Sequence, residues 1–188
     1  MIFDLPDNGL VAWNSAFNTR PQNVEELLRN AAEKFPDLSI QLIDLDKVPG
    51  QHYMKLATVN ACKSFHSKQP IAKSLAMELL LYVSADKQIT RALKHVGITP
   101  ETQRITALVV GKNRENVQSG ANFLSTQLEQ DGQDELLNDW PPERIANVRT
   151  GFDIGAKEVE AIVRKNESEP MVLERLAVER SALLAVKK

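Results

Sequence analysis

The stretch QPIAKSLAMELLLYVSADKQITRALKHVGI, residues 69–98, decides the fold. Pro70 predicts the first turn of a helix, because its missing N–H would be unpaired there and its fixed φ suits a helix. From residue 75 to residue 83 the run LAMELLLYV is apolar except at Glu78. A helix that is apolar on every side is buried between other elements, so this run predicts a central helix.

A second, amphipathic helix is predicted over residues 87–96, after a corner at residues 84–86. Gly97 follows its last turn, as glycine commonly does at the end of a helix. One face of this helix carries Ile89, Ala92, Leu93 and Val96. The other faces carry Lys87, Arg91, Lys94 and His95. A buried helix followed by a basic helix is therefore the predicted organising unit.

Strands are predicted on both sides of this unit, over residues 10–17, 39–48 and 104–111. Between 39 and 48 the apolar residues occupy odd and even positions, which is typical of an inner strand covered by helices on both faces. Asn23 predicts the N-cap of an amphipathic helix between the first two strands. The order of elements predicts a helix-rich α/β protein, a single domain over residues 1–188 with a small three- to four-stranded sheet covered by helices.

Composition narrows the class of protein. None of the apolar runs in these 188 residues approaches the roughly 20 residues that cross a bilayer. The first residues, MIFDLPDNG, carry acid where a targeting segment would carry Lys or Arg, so we expect a cytoplasmic protein, or also a nuclear one if the source is eukaryotic. The single cysteine, Cys62, excludes an internal disulfide and a multi-cysteine metal site.

Charge is unevenly distributed along the chain. Between Gly50 and Gly97 there are seven of the 23 basic residues and two of the 25 acidic ones. All three histidines fall in the same segment. Such a bias indicates an anionic partner for one face, although a charge cluster is also what a solvated surface looks like.

Motifs for catalysis are missing from the sequence. It contains no Gly-rich phosphate loop, no Gly-x-Ser-x-Gly elbow and no His-x-x-x-His pair. Cys62 and His66 stand at helical i,i+4 spacing, but nothing else supplies further soft ligands, so we predict neither a metal nor a cofactor. Glu78 lies in an apolar run, where burial would raise the pKa of a catalytic acid or base. Pairing with a neighbouring Lys or Arg or with helix N–H groups is the structural alternative.

The basic segment suggests RNA binding instead. Lys73 and Ser74 are predicted in the first turn of the buried helix, where free N–H groups bind phosphate well. Gln88 can hydrogen-bond the edge of a base. Such groups suit the single-stranded end of an RNA better than a duplex groove.

An ordered set of residues resembles a known family. The set comprises Pro70-Ile71-Ala72, Ser74, Met77-Glu78-Leu79-Leu80, Ser84, Gln88-Ile89, Ala92, Lys94 and Gly97. It resembles the small kinase-binding subunit of the KEOPS complex, the PRPK-binding protein family, and is more similar to the archaeal form. Two features depart from the family pattern: Ala85-Asp86-Lys87 replaces Gly-x-Arg, and the acidic loop from Gln130 to Trp140 is longer.

The resemblance implies a non-enzymatic subunit. KEOPS installs threonylcarbamoyladenosine in tRNA, and its small subunit binds the kinase-like ATPase of the complex and helps to capture the tRNA by its 3′ CCA end. The resemblance therefore implies a protein partner, an RNA partner and only indirect contact with the other KEOPS subunits.

Candidate site residues follow from this implied function. The predicted RNA-binding residues are Lys68, Lys73 and Lys87 on phosphates, Ser74 and Gln88 on the tail, and Lys94 as added charge. Leu173, Leu176 and Leu184 in the last helix are predicted to bind the kinase-like partner, with a place in the core as the alternative. Two other functions stay open: a small nucleotide-acting enzyme with Glu78 as its base, and a scaffold that binds only protein.

Overall fold

Four antiparallel strands form one sheet in the computed structural model, which describes residues 1–5, 9–67 and 70–186. The strands are β1 (Ile2–Leu5), β2 (Leu10–Phe17), β3 (Ser39–Asp44) and β4 (Ile105–Gly111). They lie in the order β1-β2-β4-β3. Trp13 of β2 pairs with Val109 of β4, and Leu42 of β3 pairs with Ala107 of β4.

Helices supply most of the remaining structure. Eight α-helices occur in the described part of the chain: α1 (Val24–Lys34), α2 (Gln51–Phe65), α3 (Leu75–Ser84), α4 (Ile89–Val96), α5 (Arg114–Gln127), α6 (Pro142–Gly151), α7 (Ala156–Ile162) and α8 (Glu169–Val186). Short 3₁₀ turns occupy Leu45–Lys47 and Asp134–Asn138. In the described residues no helix is both long enough and apolar enough to span a bilayer.

The sheet separates two hydrophobic cores. Successive side chains of a strand point to opposite faces, and β4 divides accordingly. Ile105, Ala107 and Val109 join the core beneath α1 and α5. Leu108 and Val110 join the larger core, which α2, α3, α4, α6 and α8 complete. The structure thus confirms a helix-rich α/β fold with helices on both faces of a four-stranded sheet.

Two details of the sheet differ from the sequence prediction. The segment 39–48 was expected as an inner strand, but β3 ends at Asp44 and lies at the edge of the sheet. Both of its faces are nevertheless covered, because Leu42 packs in one core and Ile43 in the other. The inner strands are β2 and β4. Strand β2 is inner because the four-residue strand β1, too short to be read from the sequence, pairs along its outer side.

The buried helix begins later than Pro70 predicts. Its first residue is Leu75, and Ser74 is the N-cap, whose Oγ accepts a hydrogen bond from the backbone N–H of Met77 at 3.3 Å. The preceding residues are held outside the helix because the N–H groups of Ile71 and Ala72 donate to the carboxylate of Glu78 instead. The carboxylate of Glu78 therefore binds N–H groups in the segment where Pro70 favours the start of a helix.

A buried arginine fixes the acidic loop. Arg144 is fully buried, and its guanidinium donates to the backbone carbonyls of Val48, Leu136, Leu137 and Asp139 at 2.5 to 3.1 Å. These carbonyls bring the 3₁₀ turn of the loop against the start of α2. The acidic stretch is therefore packed onto the fold rather than extended into solvent.

Candidate functional site

The predicted RNA-binding residues fall into two groups at opposite ends of α3. Lys73 and Ser74 precede its first residue, whereas Lys87, Gln88 and Lys94 lie at its far end or on α4. A helix of 10 residues is about 15 Å long, at about 1.5 Å per residue. The structure therefore does not bring the two groups into one site.

At the first end, Lys73 and Ser74 are exposed. Ser74 uses its hydroxyl to cap α3, and Lys73 has no ion-pair partner among the residues that the structure describes. The prediction for Lys68 lies outside the described residues. A free ammonium beside a helix N-terminus is an arrangement that attracts phosphate.

A cavity of about 570 Å³ opens beside Ser74. We call it the α3 pocket; its polar and aromatic lining includes one acid, Asp37, together with Phe65, His66, Ser74, Lys112, Asn113 and Asn116. The rings of Phe65 and His66 meet edge to face, with centroids 5.9 Å apart. Asn113 caps α5 through its Oδ1, which accepts from the N–H groups of Glu115 and Asn116. Aromatic rings, amides and a lysine in one concave site are the groups that bind an unstacked nucleotide.

At the second end, the side chains of Lys87, Gln88 and Lys94 are exposed. The nearby carboxylate of Asp86 is engaged, because it accepts from the backbone N–H of Gln88 at 2.8 Å and forms an ion pair with Arg91. Burial acts to raise the pKa of Asp86, but the hydrogen bonds from Arg91 and Gln88 hold that pKa below its ordinary value. Lys87 and Lys94 have no ion-pair partner in the described part of the chain.

A larger cavity of about 740 Å³ lies beside α4. We call it the α4 groove; it is bounded by α4, the end of α6 and α8, and its lining includes Arg91, Lys94, His95, Phe152, Leu183 and Leu184. The Nδ1 of His95 lies 3.1 Å from the carbonyl oxygen of Ser84, and its buried Nε2 has no hydrogen-bond partner among the described residues. Burial lowers the pKa of His95, against the opposing effect of the Ser84 carbonyl.

The three leucines predicted to bind the partner lie in the core. Leu173 is fully buried, Leu176 is 3% exposed and Leu184 is 8% exposed. Leu184 alone of the three borders the α4 groove. The exposed apolar side chains of α8 are instead Met171, Leu183 and Val186, so a partner surface on this helix would use those residues.

Glu78 is paired, as the alternative to catalysis expected, but its partners are N–H groups that precede α3 rather than a basic side chain or helix N–H groups. The side chain is fully buried, and its two oxygens accept from the N–H groups of Ile71 at 3.3 Å and Ala72 at 2.7 Å. Both oxygens are thus engaged by the backbone, which leaves a substrate little access to the carboxylate.

Metal and thiol chemistry receive no support from the residues that are described. Burial raises the pKa of the Cys62 thiol to about 12, which keeps it protonated at neutral pH. His66 is turned back toward the backbone, with Nδ1 2.8 Å from the carbonyl oxygen of Cys62. Nowhere in the described ranges do three His, Cys, Asp or Glu side chains gather around a space for a metal ion.

Several lining residues of the α3 pocket were not identified from the sequence. Lys112 and Asn113 follow β4, 38 or more residues after Ser74 in the chain, and they come near it because α3 packs against β3, which pairs with β4. A local signal was available in the sequence. Gly111 ends β4 and Asn113 caps α5, which places the polar side chains of Lys112 and Asn113 at the end of that strand.

Comparison with known families gives one match. A family model described as kinase binding protein CGI-121 matches residues 19–184. The match covers α1 to α8 almost completely and includes both ends of α3. No curated protein matches the chain.

Proposed function

The chain belongs to the CGI-121 family of kinase binding proteins, and on that premise we propose that it is the non-catalytic subunit that joins a kinase-like ATPase to tRNA in the KEOPS complex. In this function it binds the ATPase and recruits tRNA by the 3′ CCA end for threonylcarbamoyladenosine synthesis. The family match supports the kinase contact, and the engaged carboxylate of Glu78 favours a binding subunit over an enzyme.

The α3 pocket is the observation that carries the RNA part of the proposal. Its volume of about 570 Å³ lies within the range of small-ligand sites, roughly 300 to 1,000 Å³. Phe65 and His66 offer ring surfaces on which a base can stack, and Asn116 offers amide groups for a base edge. Lys112 lines the pocket and Lys73 directly precedes Ser74, and both are exposed cations that can contact phosphates.

A tRNA-binding assay tests this part. We compare intact tRNA with tRNA from which the CCA end has been removed, at low salt. Removal of the end should weaken binding by the wild-type protein about ten-fold or more, since stacking contributes about 1 to 3 kcal/mol per base. The double variant Lys73→Glu/Lys112→Glu should bind intact tRNA more weakly, with a salt slope reduced by about 0.7 for each lost phosphate contact.

Controls separate the pocket from general electrostatics. Lys157→Glu reverses an exposed charge on α7, at a side chain that does not line the α3 pocket, and should leave the affinity for tRNA within about two-fold. Equal affinity of the wild-type protein for intact and trimmed tRNA would contradict the RNA proposal. A protein-only scaffold is the function favoured by that outcome, provided that the kinase still binds.

A further inference from the structure

The α4 groove is larger than the α3 pocket, and the proposed function makes no use of it. Its volume of about 740 Å³ lies within the range of small-ligand sites, roughly 300 to 1,000 Å³. The groove is lined mainly by α4, the corner before α4, the end of α6 and the last turns of α8. A cavity between helices is a common place for a small-molecule site.

Packing fixes one wall of the groove. The ring of His95 meets the ring of Phe152 edge to face, with centroids 4.8 Å apart, and its Nδ1 lies 3.1 Å from the carbonyl oxygen of Ser84. Gly151 makes room for this ring, because a side chain at that position would collide with Nε2 of His95. A ligand would therefore meet a wall that is already in place, which lowers the conformational cost of binding.

Apolar side chains form part of the same lining. Leu183 and Leu184 stand in the last turns of α8, and Phe152 follows α6. Leu183 is 44% exposed, so a ligand group that covers it would remove apolar surface from water. Such burial is favourable, and the groove therefore favours a ligand that has an apolar body.

Basic side chains outnumber acidic ones in the lining. The basic residues are Lys47, Arg91, Lys94 and Arg180, and the acidic ones are Asp86 and Asp153. Three of the basic residues already pair with carboxylates: Lys47 with Asp44, Arg91 with Asp86 and Arg180 with Glu158.

Lys94 has no ion-pair partner in the described part of the chain, so its ammonium is available to an anion. The lining acid that is likewise unpaired among the described residues, Asp153, is exposed and follows α6, whereas Lys94 lies on α4. The α4 side of the groove is therefore the side that favours negative charge.

We propose that the α4 groove is a binding site for a small organic anion, a molecule with one carboxylate or phosphate group and an apolar body. Lys94 pairs with the anionic group, and Leu183 and Leu184 cover the apolar body. The inference is independent of the proposed function, because it requires neither tRNA nor the kinase-like ATPase.

A nucleic acid strand fits the groove less well than a small anion does. Successive phosphates need several cations, and among the described residues the groove offers a single lysine that is not already paired. The inference therefore gives Lys94, which the sequence placed on RNA, a small ligand instead.

The experiment uses a fluorescent organic anion, anilinonaphthalene sulfonate, as the probe of the groove. Octanoate and octyl phosphate are the competitors, one for each kind of anionic group, and octanol is the matched molecule without a charge. At least one of the two anions should displace the probe, and octanol should need about a ten-fold higher concentration, because it lacks the charge that pairs with Lys94. The more effective anion identifies the head group.

Variants of the lining test each part of the site. Lys94→Glu should weaken binding of the effective anion about ten-fold, since a like charge replaces the ammonium. Leu183→Asp should weaken it to a similar extent through the loss of apolar contact. Asp153→Asn removes a negative charge from the lining and should strengthen binding about two-fold.

Matched controls lie outside the groove. Val163→Asp introduces the same charge as Leu183→Asp at a side chain that is 45% exposed, and Lys157→Glu reverses an exposed lysine of α7. Neither residue lines the groove, so both variants should bind the anion within about two-fold of the wild type. Thermal unfolding of each variant shows whether the fold is retained.

Four outcomes would overturn the inference. The first is a wild-type protein that binds neither anion, and the second is octanol that competes as well as the anions do. The third is anion binding that is unchanged in folded Lys94→Glu and Leu183→Asp proteins. The fourth is intact tRNA that displaces the probe where both anions fail, which would assign the groove to nucleic acid.

Discussion

The carboxylate of Glu78 accepts a 2.7 Å hydrogen bond from the backbone N–H of Ala72, six residues earlier in the chain. A second N–H, from Ile71, lies 3.3 Å from its other oxygen. This contact folds residues 71–73 across the start of α3 and so shapes one wall of the region around Ser74. Glu78, an acid in an apolar helix, therefore has a structural role as the hydrogen-bond acceptor of two backbone N–H groups.

Replacing Glu78 with alanine should destabilise the protein by about 2 to 4 kcal/mol, because two N–H groups next to the core lose their acceptor. Glu78→Gln keeps one carbonyl oxygen and should lose about half as much. Glu143→Ala, at an exposed position of α6, is the control and should change stability by less than about 0.5 kcal/mol. Urea unfolding measures all three, and a Glu78→Ala protein as stable as the wild type would contradict the assignment.

Gly151→Ala should destabilise the protein, because a methyl group at this position would lie 2.0 Å from Nε2 of His95. Overpacking of this kind costs about 1 to 3 kcal/mol. Gly155→Ala is the matched substitution four residues away, where a methyl group meets nothing within 4 Å, and it should be nearly neutral. Thermal unfolding of the pair tests the contact; equal midpoints would show that the ring of His95 moves aside freely.

His95 should make stability depend on pH. Because burial lowers its pKa in the folded protein, the unfolded chain binds this proton more readily. The contribution of neutral His95 to the free energy of unfolding is therefore fully present above the unfolded pKa of about 6.5. It decreases as the pH falls toward the lower pKa of the folded protein. Urea unfolding between pH 5 and 8 should show a shallower decline for His95→Gln than for the wild type. His52→Gln, at an exposed histidine, should leave the profile unchanged.

Removal of the buried guanidinium should loosen the acidic loop. Arg144→Met leaves the carbonyls of Val48, Leu136, Leu137 and Asp139 without their donor, and we expect a loss of about 3 to 5 kcal/mol. Hydrogen exchange should accelerate first in residues 134–139. Arg149→Met removes a half-exposed arginine that bonds only Glu169 in the described structure, and its effect should stay near 1 kcal/mol. Similar losses of stability for Arg144→Met and Arg149→Met would contradict the structural role assigned to the Arg144 guanidinium.

Local signals predicted most of the fold. Asn23 caps α1 as expected, its side chain accepting from the N–H of Glu26, and Gly97 follows the last residue of α4. The β-branched run before Gly111 forms β4. These features depend on neighbouring residues along the chain, so the sequence alone contains the required information.

The remaining features depend on contacts between distant segments. Pro70 favours a helix start, but Glu78 withdraws the N–H groups that such a start would use. Arg144 is charged, and nothing near it in sequence indicates that carbonyls from residues 48 and 136–139 would surround it. The α3 pocket joins residues of α2, α3 and β4 for the same reason. The predicted lysines were likewise grouped by sequence, whereas α3 separates them in space.

The length of α3 has a consequence for assembly. With Ser74 of the α3 pocket at one end and Ser84 of the α4 groove at the other, the helix holds the two cavities about 15 Å apart. Two ligands, one at each end of the helix, would therefore not compete for the same space.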